Sequence, residues 1–200
     1  MKLYGTAQSR AFRSLWMLEE LGIEYEHENT GSRTDAKTRN YLENINPNGK
    51  IPALVDGDLV LWESLAINLY LARKYDGGLL PKSLDDQARA LQWSFWVMTE
   101  IEPPLIEVLM NRRGLSEPER DSAKADAAET ALAPCLAVLD GALAGKRNLL
   151  GDDFSVADLN VASVLSWTLL GGVDLSAVPE LQRWLGECLA RPAAARAQAL

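Results

Sequence analysis

The residues best suited to build a binding site lie together between Asn46 and Ser64. Asn46-Pro47-Asn48-Gly49 has the composition of a tight turn. Ile51-Pro52 follows it, ahead of two short apolar runs separated by Asp56-Gly57-Asp58, a hairpin signal. Glu63-Ser64 then opens a segment of helical period, which puts a hydroxyl and free backbone donors at a helix N-terminus. A proline just before a strand marks special backbone geometry, and a cis bond is one candidate. Such a bond leaves the N–H and C=O of the preceding residue facing outward. There they can pair with a peptide-like ligand as a short strand would. The helix start beside them can hold a carboxylate. A backbone edge next to a carboxylate seat suits a small acidic peptide.

Composition removes several other chemistries. The 200 residues are 48% hydrophobic, enough for a sizeable core in one large domain or two small ones. The net charge of −8 argues against nucleic acid or an anionic membrane as partner. Residues 1–80 carry net −2 and the remainder −6, so an anionic ligand is better tolerated by the first segment. Cys135 and Cys188 are far apart and each sits in a helical pattern, which is neither a disulfide framework nor a zinc site. They read as small buried hydrophobes, and no metal is expected. The single histidine, His27, ends an alternating run and reads as a strand residue rather than a catalyst. No stretch approaches the roughly 20 apolar residues of a membrane span, and Met1 to Gly5 lack a signal-peptide pattern. A cytoplasmic protein is expected.

The elements that must position the site follow in order. Lys2 to Tyr4 predicts a short strand ended by Gly5. Ala11, Leu15, Leu18 and Leu21 fall on one face of a helix, with Glu19 and Glu20 opposite and Gly22 as its stop. Ile23, Tyr25 and His27 alternate with glutamates, a half-exposed strand. Residues 29–45 hold at most a short irregular helix around 36–44. Strands at 53–56 and 59–62 form the hairpin, and a helix from Ser64 carries Ile67, Tyr70 and Leu71 inward before Gly77-Gly78. The order β-α-β-β-β-α predicts two parallel strands joined by a right-handed crossover, plus an antiparallel hairpin. Beyond a linker at 78–84 only helical patterns recur, so a domain at 1–77 is followed by an all-α domain at 85–200. Asp85 to Arg113 is one long helical stretch that Pro103-Pro104 must kink or break. Ser116 with Glu119 reads as a capping box starting the next helix. Ser155-Val156-Ala157-Asp158 is a second box, before an apolar run that predicts a buried central helix. A further helix begins at Pro179 and ends at Arg191-Pro192, leaving an alanine-rich tail. Glu100 and Glu102 are expected to face solvent or a subunit boundary.

Assembled, these pieces resemble the cytosolic glutathione transferase family, over nearly the whole chain. The carriers are Leu3-Tyr4-Gly5, Ser9-Arg10-Ala11-Phe12-Arg13, Leu18-Glu19-Glu20-Leu21-Gly22, Asn46 to Pro52, Glu63-Ser64 and Ser155 to Asp158. The resemblance implies a thioredoxin-like first domain, an all-helical second domain, glutathione as co-substrate and a homodimer. It implies that Pro52 is the family's cis-proline and that Ile51 pairs its backbone with the cysteinyl part of glutathione. Glu63 and Ser64 would hold the γ-glutamyl end; by itself Glu63 reads either as a solvated residue at a strand end or, in preference, as a buried approach to a ligand amine. Lys50 and Arg39 would approach the glycine carboxylate. Asp158 would be a structural capping carboxylate. Trp96, Met98 and Leu105 are candidates for the apolar acceptor pocket, although such spacing also suits plain core.

The chemistry implied concerns the thiol, which is nucleophilic only as thiolate. Ser9, in the loop entering the first helix, is the first candidate for the activating donor, and Tyr4 at the end of the first strand is the second. The alternative reading of Ser9 is a helix cap and no more. Arg13 either supports the loop electrostatically or is solvated. The first domain has no cysteine, unlike the family's cysteine-dependent branches, and the Ser-Ser-Cys signature of the maleylacetoacetate isomerase branch is missing. Three functions are compatible: conjugation of glutathione to an electrophile, peroxide or disulfide reduction by bound glutathione, and a non-catalytic binding module.

Overall fold

The computed structural model describes residues 1–75 and 77–200, which form two compact units. The first comprises Met1–Pro81 and Ala190–Leu200, the second Lys82–Leu189.

The sheet of the first unit has β1 (Lys2–Tyr4), β2 (Glu26–Glu28), β3 (Ala53–Asp56) and β4 (Leu59–Trp62) in the spatial order β2-β1-β3-β4. β1 runs parallel to β2, with Leu3 opposite His27, and antiparallel to β3, with Leu3 opposite Leu54. The β3–β4 hairpin is antiparallel, as its Asp56-Gly57-Asp58 turn predicts. The period-2 alternation sends Leu3 and Leu54 to one face, where both are fully buried beneath α1 (Ala11–Leu21) and α3 (Ser64–Lys74). Each such leucine contributes about 2 kcal/mol of burial. The opposite face receives Tyr4 and Ala53, which cluster with Ala36, Tyr41, Ile51 and Ile45 near α2 (Arg39–Asn44). Thr38 caps α2, accepting from the Tyr41 amide at 3.4 Å.

α1 departs from the one-faced helix that its period suggests. Every residue from Ala11 to Leu18 is buried, Arg13 and Ser14 included. The reason lies at the end of the chain. The alanine-rich tail is a helix, α9 (Pro192–Gln198), and it packs on α1 in the first unit. Residues 190–200 therefore do not belong to the helical domain as expected. Arg191 and Arg196 pair with Glu20 and Glu19, covering the face expected to meet water.

The second unit is helical: α4 (Leu84–Trp96), α5 (Glu102–Leu109), α6 (Ser122–Leu143), α7 (Val156–Gly171) and α8 (Pro179–Leu189). Pro103 and Pro104 fall in the first turn of α5, and a wider π-helical turn at Val97–Ile101 precedes it. Two consecutive residues without N–H donors cannot complete α-type bonds to the preceding turn, so the chain widens there. Glu102 is buried, against expectation, because the widened turn rotates it inward from the α4 register. Ser116 does not open a helix. Its hydroxyl donates to the Glu119 carboxylate at 2.5 Å within a short 3-10 turn, and α6 starts six residues later with Asp121 accepting from the Lys124 amide. α7 is buried almost all round, as its composition predicts.

Asp158 in the first turn of α7 is fully buried and accepts from the Leu149 amide, the Ser155 amide and hydroxyl, and Trp184 Nε1, all within 2.8–3.0 Å. Burial pushes its carboxyl upward, and these four bonds act against that shift. The residue joins the loop before α7, the helix itself and α8 through one carboxylate. Asp158→Ala leaves the Leu149 amide and the Trp184 indole N–H buried without acceptors, and is expected to lower stability by about 3 kcal/mol. Urea unfolding measures it; a loss below about 1 kcal/mol would mean that the carboxylate only caps α7.

Candidate functional site

The site is built around a close approach. Gly5 ends β1 with φ at +140°, and a Cβ there would stand 2.5 Å from the Ala11 Cβ and 3.4 Å from the Ile51 Cβ. The missing side chain lets the start of α1 and the turn at Ile51 converge on one residue. The Gly5 amide donates to the Glu28 carbonyl at 2.9 Å, and His27 Nε2 lies 2.7 Å from the Gly5 carbonyl oxygen, so that nitrogen carries the proton. His27 is thus a strand residue that fixes Gly5.

The peptide between Ile51 and Pro52 is cis. Among the described residues no hydrogen bond occupies the Ile51 N–H or C=O. The residue before it is held tightly. The Lys50 carbonyl accepts from the Tyr41 hydroxyl and from Asn46 Nδ2, each at 2.9 Å. Asn46 is buried, and its Oδ1 accepts from the Asn48 amide at 3.0 Å while its carbonyl accepts from the Gly49 amide. Gly49 has φ at +59°, and a Cβ would meet Lys37 Nζ at 2.9 Å and the Ala36 carbonyl at 3.0 Å. Asn46 and Gly49 therefore shape the turn that presents Ile51.

Glu63 and Ser64 form the second part. Glu63 is exposed and has φ at +75°, a conformation that costs a non-glycine residue about 1–3 kcal/mol and that recurs at ligand sites. Its carbonyl accepts from the Ile67 amide, which leaves the first amides of α3 as orphan donors. The buried approach expected for the Glu63 carboxylate is not what the structure has. Ser64 is buried, and beneath it lies Arg13, 1% exposed, with its guanidinium 3.5 Å from the Ser64 hydroxyl. Arg13 is not solvated; it adds positive charge to a helix N-terminus that already favours an anion. Ser14 donates to the Ser64 carbonyl at 3.3 Å, and fully buried Asn68 donates to the Arg13 carbonyl at 3.1 Å. The N-terminal turn of α1 is thus tied to the N-terminus of α3.

Ser9 is half-buried. Its hydroxyl donates to the Thr6 carbonyl at 2.7 Å and accepts from the Ala11 amide at 3.0 Å, so it caps the start of α1. Tyr4 sits on the α2 side of the sheet, its ring edge-on to Tyr41 with centroids 5.9 Å apart and Lys2 Nζ 5.2 Å from its centroid. Lys50 is exposed. Arg39 lies along α2 in an exposed pair with Glu43 at 2.7 Å. Lys37 instead donates to the Gly49 carbonyl at 2.5 Å, beside the Ile51 turn. In the second unit Trp96 and Met98 are half-buried, while Leu105 is fully buried in its core. Among the described residues no three His, Cys, Asp or Glu are grouped as metal ligands would be.

Sequence reasoning left Arg13 between a support of the loop and a solvated charge, and did not single out Asn68 or Lys37, which the structure places beside the Ser64 and Ile51 segments. Only Arg13 carried a signal, a charged residue among Ala11, Phe12 and Leu15 on a helix.

Comparison with known proteins gives the family of the chain. The family model "Glutathione S-transferase, N-terminal domain" matches residues 1–73, and "Glutathione S-transferase, C-terminal domain" matches residues 90–192. Glutathione S-transferase GstB of Escherichia coli (strain K12) is 34% identical over 184 residues, covering 90% of this chain and 88% of its own. A theta class glutathione S-transferase from Xanthomonas axonopodis pv. citri, solved with glutathione bound, superposes with a TM-score of 0.92 at 31% identity. The match covers 100% of this chain and 97% of that one. A glutathione transferase from Burkholderia graminis, with two glutathione molecules bound per subunit, gives a TM-score of 0.85 at 30% identity, covering 98% and 86%. The chain belongs to the glutathione S-transferase family, and its fold is that family's mixed four-stranded domain and helical domain.

Gly5→Ala places a methyl group into Ala11 at a backbone angle that L-residues rarely adopt. It is expected to cost about 3 kcal/mol or more in urea unfolding. A variant as stable as the parent would mean that α1 and Ile51 need not converge.

Proposed function

We propose that this protein binds glutathione at the Ile51 edge and the Glu63–Ser64 seat, activates its thiol as thiolate beside Ser9, and transfers it to an apolar electrophile. The observation that carries the reading is the convergence at Gly5 of the α1 start with an Ile51 peptide whose N–H and C=O have no partner among the described residues. The γ-glutamyl end of glutathione is a zwitterion. The α3 N-terminus, Ser64 and Arg13 suit its carboxylate, and the exposed Glu63 carboxylate suits its ammonium. Lys50 and Lys37 suit the glycine carboxylate, with Arg39 held along α2 unless it leaves Glu43. The amide and carbonyl of Ile51 pair with the cysteinyl residue.

Ser9 is the thiol's hydrogen-bond donor in this reading. Its proton rests on the Thr6 carbonyl, a neutral acceptor, and a thiolate is a stronger one. Rotating the hydroxyl forfeits a bond worth about 1 kcal/mol and gains a charge-assisted one worth more. Tyr4 is occupied as packing on the α2 side of the sheet, which supports Ser9 over it. The thiol proton leaves to solvent, the sulfur lone pair forms the S–C bond, and the displaced electron pair leaves with the departing group or moves into the acceptor. Trp96 and Met98 are half-buried, which suits side chains that contact an apolar acceptor; Leu105 is withdrawn into the core of the helical unit.

A homodimer fits the exposed apolar side chains that each unit carries: Leu59, Val60 and Trp62 on β4, and Leu91 and Phe95 on α4, with Phe95 69% exposed. Light scattering should give twice the chain mass; a monomer at micromolar concentration would contradict this. Cys135 and Cys188 form no disulfide among the described residues, which fits a reducing cytoplasm, and no helix among those residues is long and apolar enough to cross a membrane.

A second reading, disulfide or hydroperoxide reduction by bound glutathione, draws on the two glutathione molecules in the Burkholderia graminis relative. One thiolate attacks a sulfur of the disulfide and expels the other half as a thiolate that takes up a proton; a second glutathione thiolate then attacks the glutathione sulfur of the mixed disulfide, expels the remaining substrate thiolate and forms oxidised glutathione. Assays of a nitroaryl halide against hydroxyethyl disulfide separate the two. Activity with neither, together with no glutathione binding by calorimetry, would overturn both. Within either reading, Ser9→Ala should raise the pKa of bound glutathione by about one unit and cut turnover about 10-fold or more. Affinity for S-methylglutathione should stay within about threefold. The same effects from Tyr4→Phe, with Ser9→Ala silent, would transfer the role to Tyr4.

A further inference from the structure

We infer that the C-terminal helix α9 is a strap that sets the position of the thiol-activating loop, with Arg191 and Glu20 as positioning residues for the reaction. The inference rests on the glutathione-activating role proposed for Ser9. α9 lies almost wholly past residue 192, where the match to the C-terminal family model ends.

Arg191 grips Glu20 through two parallel bonds, Nε to Oε1 at 2.6 Å and NH2 to Oε2 at 2.7 Å, between residues 171 positions apart. The Glu20 side chain is 8% exposed, and its Oε1 also accepts from Trp16 Nε1 at 2.9 Å. One turn further along α9, Arg196 donates from Nε to Glu19 Oε2 at 2.7 Å and from NH2 to the Glu19 carbonyl at 2.9 Å. The other oxygen of Glu19 accepts from the Tyr25 hydroxyl. Along α9, Ala193, Ala194 and Ala197 are buried, and their short side chains allow close approach. A seven-residue helix has little stability of its own, so these guanidinium pairs hold α9 in place and, through it, hold α1.

α1 is a rod of about 16 Å. At one end stand Ser9, which caps Ala11, and the Ala11 Cβ facing Gly5; Arg13 and Ser14 reach Ser64 within the first turn. At the other end stand the two glutamates bound to α9. Two supports at opposite ends fix the tilt of a rod, and with Ala11–Leu18 wholly buried there is no third orientation free of repacking. Releasing the α9 end moves the Ser9 end, where a displacement of about 1 Å is enough to cost a reaction up to 100-fold.

The test uses the full chain with Arg191→Ala and Arg191→Lys, well below each variant's melting temperature. Arg191→Ala should lower turnover at saturating glutathione about 10-fold and raise the pKa of the bound thiol, read by thiolate ultraviolet absorbance. S-methylglutathione affinity should stay within about twofold, and hydrogen exchange at Phe12–Leu15 should quicken. Arg191→Lys, which keeps the charge without the fork, should fall between Arg191→Ala and the parent. Should Arg191→Ala not fold, Arg196→Ala removes the outer clamp from a more exposed side chain and should show the same changes at smaller amplitude. Unchanged turnover, thiol pKa and exchange at the start of α1, with only a lower melting temperature, would overturn the strap. A parent that does not bind S-methylglutathione would instead fail the glutathione reading. Hydrogen exchange would then still decide the strap, with unchanged rates at Phe12–Leu15 rejecting it.

Discussion

The site depends on the space left at Gly5. Ala11 and Ile51 both press on the position that a Cβ would fill, while β2 holds the Gly5 amide and carbonyl through Glu28 and His27. Any larger residue would have to push the start of α1 away from the Ile51 turn, because backbone on the sheet side cannot yield. The start of α1 and the Ile51 turn are about forty residues apart in the chain, and this contact brings them together. The second tie is polar: Arg13, Ser14 and Asn68 bind α1 to α3 inside an otherwise apolar layer. Burying a guanidinium is costly, so this tie places a strong constraint on how α1 and α3 pack.

What could be read from the sequence was what local chemistry decides. Asn46 to Pro52 announced a turn and a special peptide because Asn, Gly and Pro restrict the backbone wherever they stand. Ser155 and Asp158 announced a helix start because both partners of a capping box lie within four residues. The equivalent pattern at Ser116 and Glu119 misled for an instructive reason. There the two side chains bond to each other, and Arg120 takes the Leu115 and Arg113 carbonyls, which closes a 3-10 turn instead of a helix.

What could not be read depends on distant partners. The period of α1 gives one apolar face, and nothing near Glu19 and Glu20 shows that arginines from the last helix will cover the other. Arg13 looks like surface charge until Ser64 is placed above it. Nothing in the sequence tells that Lys37 packs on the Gly49 carbonyl while Arg39 turns along α2 to Glu43. Leu105 matches an acceptor-pocket spacing as well as a core spacing, and α7 and its neighbours settle it as core. Charge burial and the cover of a second helix face are tertiary properties, beyond periodicity.

The central claim is that the Ile51 edge recognises, the Glu63–Ser64 seat anchors, and the Ser9 loop reacts. A crystal structure of the protein with glutathione tests all three at once. The account predicts paired hydrogen bonds between the cysteinyl backbone and Ile51, the γ-glutamyl carboxylate on Ser64 and the first amides of α3, and the sulfur within hydrogen-bond distance of Ser9 Oγ. Glutathione bound with its sulfur on the Tyr4 hydroxyl, or with no backbone pairing at Ile51, would contradict it.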